Sequence, residues 1–198
     1  MATTMRFFIL VVVSLMAAPC PAYAQAYCAL RDPLSTLEVY FPERTSHRSF
    51  VREVRAEHQQ AVQSTLPLAF RNAELGQHTL YISFQDADTL GYLHTRSEKG
   101  RFGLIEIAWV IGPELTIDGF EYQRCRDPSR SAVEASNLLD VMSGKSVSEL
   151  SALVDGKGIL NRDTLPSLTG HDRELAQSTL QSAIKTLLIT ELVWGDVI

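Results

Sequence analysis

Thr79-Leu-Tyr-Ile-Ser-Phe84, Leu90-Gly-Tyr-Leu-His-Thr-Arg96, Leu104-Ile-Glu-Ile-Ala-Trp-Val-Ile111 and Leu115-Thr-Ile-Asp-Gly-Phe-Glu-Tyr-Gln123 follow one another along the middle of the chain. Each is rich in β-branched and aromatic residues and repeats with a period of two, the pattern of a strand whose alternate side chains point to opposite faces. The separators are Asp86-Ala-Asp-Thr89, Ser97-Glu-Lys-Gly100 and Gly112-Pro113. Links this short cannot carry the crossover that parallel neighbours need, so the spacing predicts a four-stranded antiparallel meander.

On either side of this region the period changes to that of a helix. Upstream, Phe50 to Leu66 sets Val51, Val54, His58, Ala61, Val62 and Thr65 on one face and stops at Pro67. That placement makes His58 a core histidine rather than a ligand. Downstream, a helix is expected over Ser129 to Met142, and a shorter one opens at Ser146 with Glu149 completing a capping box. The last helix, about His171 to Val193, is expected to bury Leu175, Ala176, Leu180, Ala183, Ile184, Leu187, Leu188 and Leu192. Thr169 is its N-cap and Asp172 lies in its first turn, where the helix dipole favours an acid. A helix, four strands and then helices define an α+β fold.

The first 24 residues, MATTMRFFILVVVSLMAAPCPAYA, read as an address. Arg6 is a positive n-region, Phe7 to Ala18 an apolar h-region, and Ala22-Tyr23-Ala24 a small-x-small cleavage site. The apolar run is shorter than the roughly 20 residues that span a bilayer. Residues 1–24 are therefore expected to be a signal peptide, and 25–198 a single periplasmic or secreted domain without a stable membrane span.

Removing the leader takes one of the 18 basic side chains, Arg6, and none of the 23 acids, which leaves a net charge of −6. With no Lys/Arg cluster, the chain lacks the basic face that nucleic-acid binding requires. Cleavage also removes Cys20, leaving Cys28 and Cys125. An even pair in an oxidising compartment predicts a disulfide between them.

The familiar catalytic patterns are missing. Ser143-Gly-Lys-Ser146 has Leu139 where a phosphate loop needs glycine, and an exported protein has no ATP supply. The mature histidines, His47, His58, His78, His94 and His171, form no metal or haem motif. No serine sits in a G-x-S-x-G elbow, and Glu106 and Glu114 are not obviously brought together as a carboxylate pair. Two segments remain. In Gly100-Arg-Phe-Gly103 and the following Leu104, paired glycines let backbone N–H groups approach a ligand, and Phe102 can stack on a flat ring. In Leu168-Thr-Gly-His-Asp172 the start of a helix offers orphan N–H groups to a phosphate.

The order of elements resembles the extracytoplasmic FMN-binding domain found in subunits of the Rnf and sodium-translocating NADH:quinone reductase complexes and in nitrous-oxide reductase regulators. The residues carrying the resemblance are Phe41-Pro42 in Leu37-Glu-Val-Tyr-Phe-Pro-Glu43, Gly91-Tyr92, and Gly103-Leu-Ile-Glu-Ile107. That family attaches FMN through the threonine of a Ser-Gly-Ala-Thr segment. Aligned on Gly170, this chain places Thr169 at the serine, His171 at the alanine and Asp172 at the threonine. Asp172 has no hydroxyl to form the phosphoester. The resemblance therefore implies non-covalent FMN, with phosphate near Thr169, Gly170 and His171 and the ring near Gly100, Phe102, Gly103 and Leu104. It further implies electron transfer with a membrane-bound or periplasmic redox partner. The alternative expectation is a non-enzymatic partner- or ligand-binding module that keeps the fold without the cofactor.

Overall fold

The computed structural model describes residues 26–198, so the expected signal peptide lies outside the described residues. The architecture is α+β. An antiparallel sheet carries the meander as β3 (Gly76–Gln85), β4 (Asp88–Gly100), β5 (Gly103–Ile111) and β6 (Ile117–Arg124).

Two further strands join β3. The nine-residue β2 (Ser46–Val54) runs antiparallel along its whole length, and the short β1 (Ala26–Cys28) runs parallel to Gly76–His78. Because β2 fills one edge of β3 from Gly76 to Phe84, β1 must lie on the other edge, the one β4 uses from Leu80 to Gln85. The pairing of β3 with β4 ends at Leu80–His94, while β4 continues with β5 alone to Gly100–Gly103. The sheet thus splits, and β1 sits at the fork, where the Cys28 thiol meets the Ser97 hydroxyl at 3.4 Å.

Helices cover both faces. The short α1 (Pro33–Tyr40) packs Leu37, with Leu30 and Phe41, over Tyr81, Leu93, Ala108 and Val110. The opposite face carries the main core, built from Leu80, Ile82, Tyr92, Ile105, Ile107, Trp109 and Ile111 against the 25-residue α6 (Gly170–Trp194). The helices α2 (Ala56–Thr65), α3 (Arg130–Glu134) and α5 (Val147–Ser151) pack on α6, and α4 (Leu138–Met142) packs on β6.

Several expectations need correction. The stretch Phe50 to Leu66 is not one helix: residues 46–54 form an edge strand with mostly exposed side chains, Val51 among them, and the helix begins at Ala56. Backbone pairing with β3 along all nine residues outweighs the helical pattern there, and Val54 and Val62 reach the core from a strand and from a helix respectively. His58 is not a core residue but a capping one, its Nδ1 accepting the Arg55 N–H at 3.1 Å. Ser129 to Met142 forms two short helices because Ser136 intervenes, donating its hydroxyl to the Val133 carbonyl and accepting the Leu138 N–H. In α6 the expected apolar face is buried except Leu192, which is exposed. The α5 capping contact is present, with the Glu149 carboxylate accepting the Ser146 N–H at 2.9 Å.

The expected disulfide is not formed: Cys28 and Cys125 are both free thiols. The topology explains why. Cys28 stands beside Ser97 on β4, Ser97 pairs with Glu106 on β5, and Glu106 with Arg124 on β6. Three strand spacings, roughly 14 Å, separate Cys28 from the end of β6, whereas bonded cysteines have Cα atoms within about 7 Å. Burial pushes both thiols above their usual pKa, so neither is an activated thiolate.

Candidate functional site

The two segments singled out in the sequence, some 70 residues apart, meet in space. The tip of the β4–β5 hairpin reaches the start of α6, and the Arg101 guanidinium donates to the imidazole of His171. His171 also contacts the Glu174 carboxylate at 3.1 Å. A cleft of about 190 Å³ lies between hairpin and helix, lined by Lys99, Gly100, Arg101, Ile105, Asp127, Glu174, Leu175 and Ser178.

The glycines have distinct roles. A Cβ on Gly100 would stand 2.5 Å from Ile105 Cδ1, so close packing excludes a side chain there. Gly103 turns at φ +110° and Gly170 at φ +53°, both with open space around the missing Cβ, so backbone conformation is what demands glycine. Phe102 and Leu104 stand outside the cleft, 46% and 43% exposed, with Arg101 over the Phe102 ring at 5.5 Å. Thr169 occupies the N-cap in an extended conformation, but its side chain makes no capping bond.

These residues fit the phosphate end of a flavin nucleotide. Lys99 and Arg101 line the cleft, and Arg101 reaches His171 in the first turn of α6, with the carboxylates of Asp127 and Glu174 in the same cleft wall. For a ring they offer an open apolar face at Phe102 and Leu104 rather than an enclosed slot, since 190 Å³ is below the roughly 300–1,000 Å³ of small-molecule pockets.

Beneath the hairpin lies a polar cluster that sequence reading missed. Along β4, Tyr92, His94, Arg96 and Glu98 face α6, and α6 answers with Thr179, Ser182, Lys185, Thr186 and Thr190, all buried. The Lys185 ammonium donates to Glu74 and to Glu98, each at 2.7 Å, and Arg96 donates to Glu74 at 2.8 Å. Two cations and two carboxylates balance, and both cations also lie against the ring of Phe70. Burial pushes the Glu98 carboxyl up, with Lys185 pulling it back in part.

Next to this cluster a hydrogen-bonded chain crosses the interior, and its direction follows from its far end. The Glu74 carbonyl can only accept, so His78 donates to it through Nε2–H at 3.1 Å and accepts at Nδ1 from His94 Nε2–H at 3.3 Å. His94 Nδ1 then accepts the Thr190 hydroxyl at 2.8 Å. Both imidazoles are neutral. Desolvation first, then the nearby Arg96 charge, lowers His78 to about 3, and the same causes together with His78 hold His94 well below its usual value.

The available sequence signal for this cluster was the run Tyr92-Leu-His-Thr-Arg-Ser-Glu98, whose alternate members are polar on both faces. A strand of that kind reads as half-exposed unless helices cover both faces. Comparison of the chain with protein-family models and with curated proteins gives no match. Among the described residues no group of histidines, cysteines and carboxylates is arranged to hold a metal ion, and no helix is long and apolar enough to cross a membrane.

Proposed function

We propose that this chain is an exported flavin-nucleotide-binding protein that holds FMN without a covalent bond and passes electrons to a redox partner. The observation that supports it best is the meeting of Arg101 and His171, two side chains able to carry positive charge, at the first turn of a long helix. A phosphate bridging them would accept from both and from the free N–H groups of that turn. The ring would lie on Phe102 and Leu104, and the flavin, when bound, supplies the redox chemistry. Arg101 and Lys99 neutralise the phosphate, Phe102 orients the ring by stacking, and Gly103 keeps the turn narrow.

Titration of FMN into the mature protein, followed by quenching of flavin fluorescence, tests this reading. The expected result is saturable binding that weakens about tenfold in Arg101→Gln, the loss of one charge-assisted contact of roughly 1.5 kcal/mol, with riboflavin binding more weakly than FMN. Absence of quenching at millimolar protein overturns it. The second reading, a module that keeps the fold without cofactor, is favoured by one observation, the small volume of the cleft.

A further inference from the structure

A second cavity lies on the other face of the sheet, under the segment that links β1 to α1. It measures about 210 Å³ and is lined by Cys28, Ala29, Leu30, Arg31, Thr95, Ser97 and Glu106. Its floor is polar and uncharged. The Cys28 thiol and Ser97 hydroxyl are partners, while the Thr95 hydroxyl, on a residue only 2% exposed, has none. A hydroxyl without a partner in the interior costs stability unless something meets it. Its mouth is charged: Glu106 is shared between Arg31 at 2.6 Å and Arg124 at 3.6 Å, two guanidiniums on one carboxylate. Arg31 and Glu106 balance within the lining, and Arg124, just outside it, leaves the three groups with one positive charge in excess.

We propose that this cavity binds a small organic carboxylate, its carboxylate at the mouth against Arg31 and its hydrogen-bonding body on the hydroxyls of Thr95 and Ser97. Size sets the class. An engineered apolar cavity of about 150 Å³ takes up benzene, so 210 Å³ admits a molecule of about eight non-hydrogen atoms on the same scale. That is too small for a nucleotide and larger than a single inorganic anion requires. The charge asymmetry selects an anion over a cation, and the neutral floor places that charge at the entrance rather than in the interior, where its desolvation would be costly. The Cys28 thiol, protonated and hydrogen-bonded, serves as wall and not as nucleophile. The site is independent of the hairpin–α6 cleft, because Thr95 and Ser97 point to the face opposite Arg96 and Glu98.

Amide chemical-shift mapping on the mature protein tests the proposal, with benzoate and 3-hydroxybutanoate as probes and benzamide as the uncharged control. Shifts confined to residues 28–31, 95–97 and 106, with benzamide binding about tenfold or more weakly, are the expected result. Thr95→Val, which keeps the shape and removes the hydroxyl, should weaken 3-hydroxybutanoate binding several-fold. A second measurement does not depend on that variant folding. In the wild-type mature protein, saturating benzoate should raise the melting midpoint where benzamide does not. No shifts at these amides up to about 20 mM, a range that detects millimolar affinity, would overturn the proposal. Equal binding of benzamide and benzoate would do the same, as would an unchanged melting midpoint at saturating benzoate.

Discussion

Acid should weaken this fold through His78 from about pH 6.5 downward, and the size of the effect follows from how far burial lowers that imidazole. In the folded chain His78 stays neutral down to about pH 3, whereas in the unfolded chain it takes up a proton near 6.5. Between those values the unfolded state binds more protons, so stability is intact above pH 6.5 and falls as the pH is lowered towards 3. At pH 5 the loss from His78 alone is about 2 kcal/mol, rising towards about 5 kcal/mol below pH 3, at 1.36 kcal/mol per unit of difference. Domains of this size are stable by only about 5–15 kcal/mol. His94 adds a loss of the same sign, since its pKa is lowered too. Glu98 opposes them: its folded pKa is raised, so its carboxyl favours the folded state as pH falls. The carboxylates of Glu149, Asp155 and Asp196, which are lowered by hydrogen bonds, contribute losses only below their ordinary range near 4. Urea denaturation of wild type and His78→Gln at pH 7.5, 6.5, 5.5 and 5.0 isolates the histidine. Wild type should lose about 2 kcal/mol more than the variant over that span. Parallel curves for the two proteins would refute the buried, neutral assignment of His78.

Lys185→Met removes the cation that faces Glu74 and Glu98 and should destabilise by about 3–5 kcal/mol in urea denaturation, as breaking one partner of a buried ion pair does; adding Glu98→Gln should recover part of the loss. Gly91→Ala places a Cβ 2.5 Å from the Ile111 carbonyl oxygen at φ +154°, so thermal denaturation should show a loss of about 1–3 kcal/mol. Because Cys28 and Cys125 are free, the melting midpoint of the mature protein should be the same with and without a thiol reductant. Phe102→Ala should leave that midpoint unchanged, as the ring is half exposed, while lowering FMN affinity in the same fluorescence titration.

The four meander strands were legible because each alternates over at least six residues and is closed by a turn too short for any other connection. The last helix was legible because its apolar face repeats over six turns. What escaped is instructive in particular residues. Ser46–Val54 has mostly exposed side chains, with only Val54 fully buried, so its strand character resides in backbone bonds to β3 that leave little hydrophobic pattern. β1 is three residues long and pairs in parallel with a segment about 50 residues away, and no local rule reports such a contact. The hairpin tip and the start of α6 were each readable as sites, but their meeting was not, because it depends on how far α6 tilts across the sheet.

Sequence alone determined the four meander strands and the last helix, because periodicity and spacing are local properties of the chain. Tertiary structure alone decided which face of β4 is the interior. Alternation assigns Tyr92, His94, Arg96 and Glu98 to one side and Leu93, Thr95 and Ser97 to the other. Only the helices on both sides of the sheet make both sets buried. Burial then turns polar residues that would be ordinary at a surface into a balanced ionic cluster and a neutral histidine pair, because removing water is what makes their charges and hydrogen bonds depend on one another.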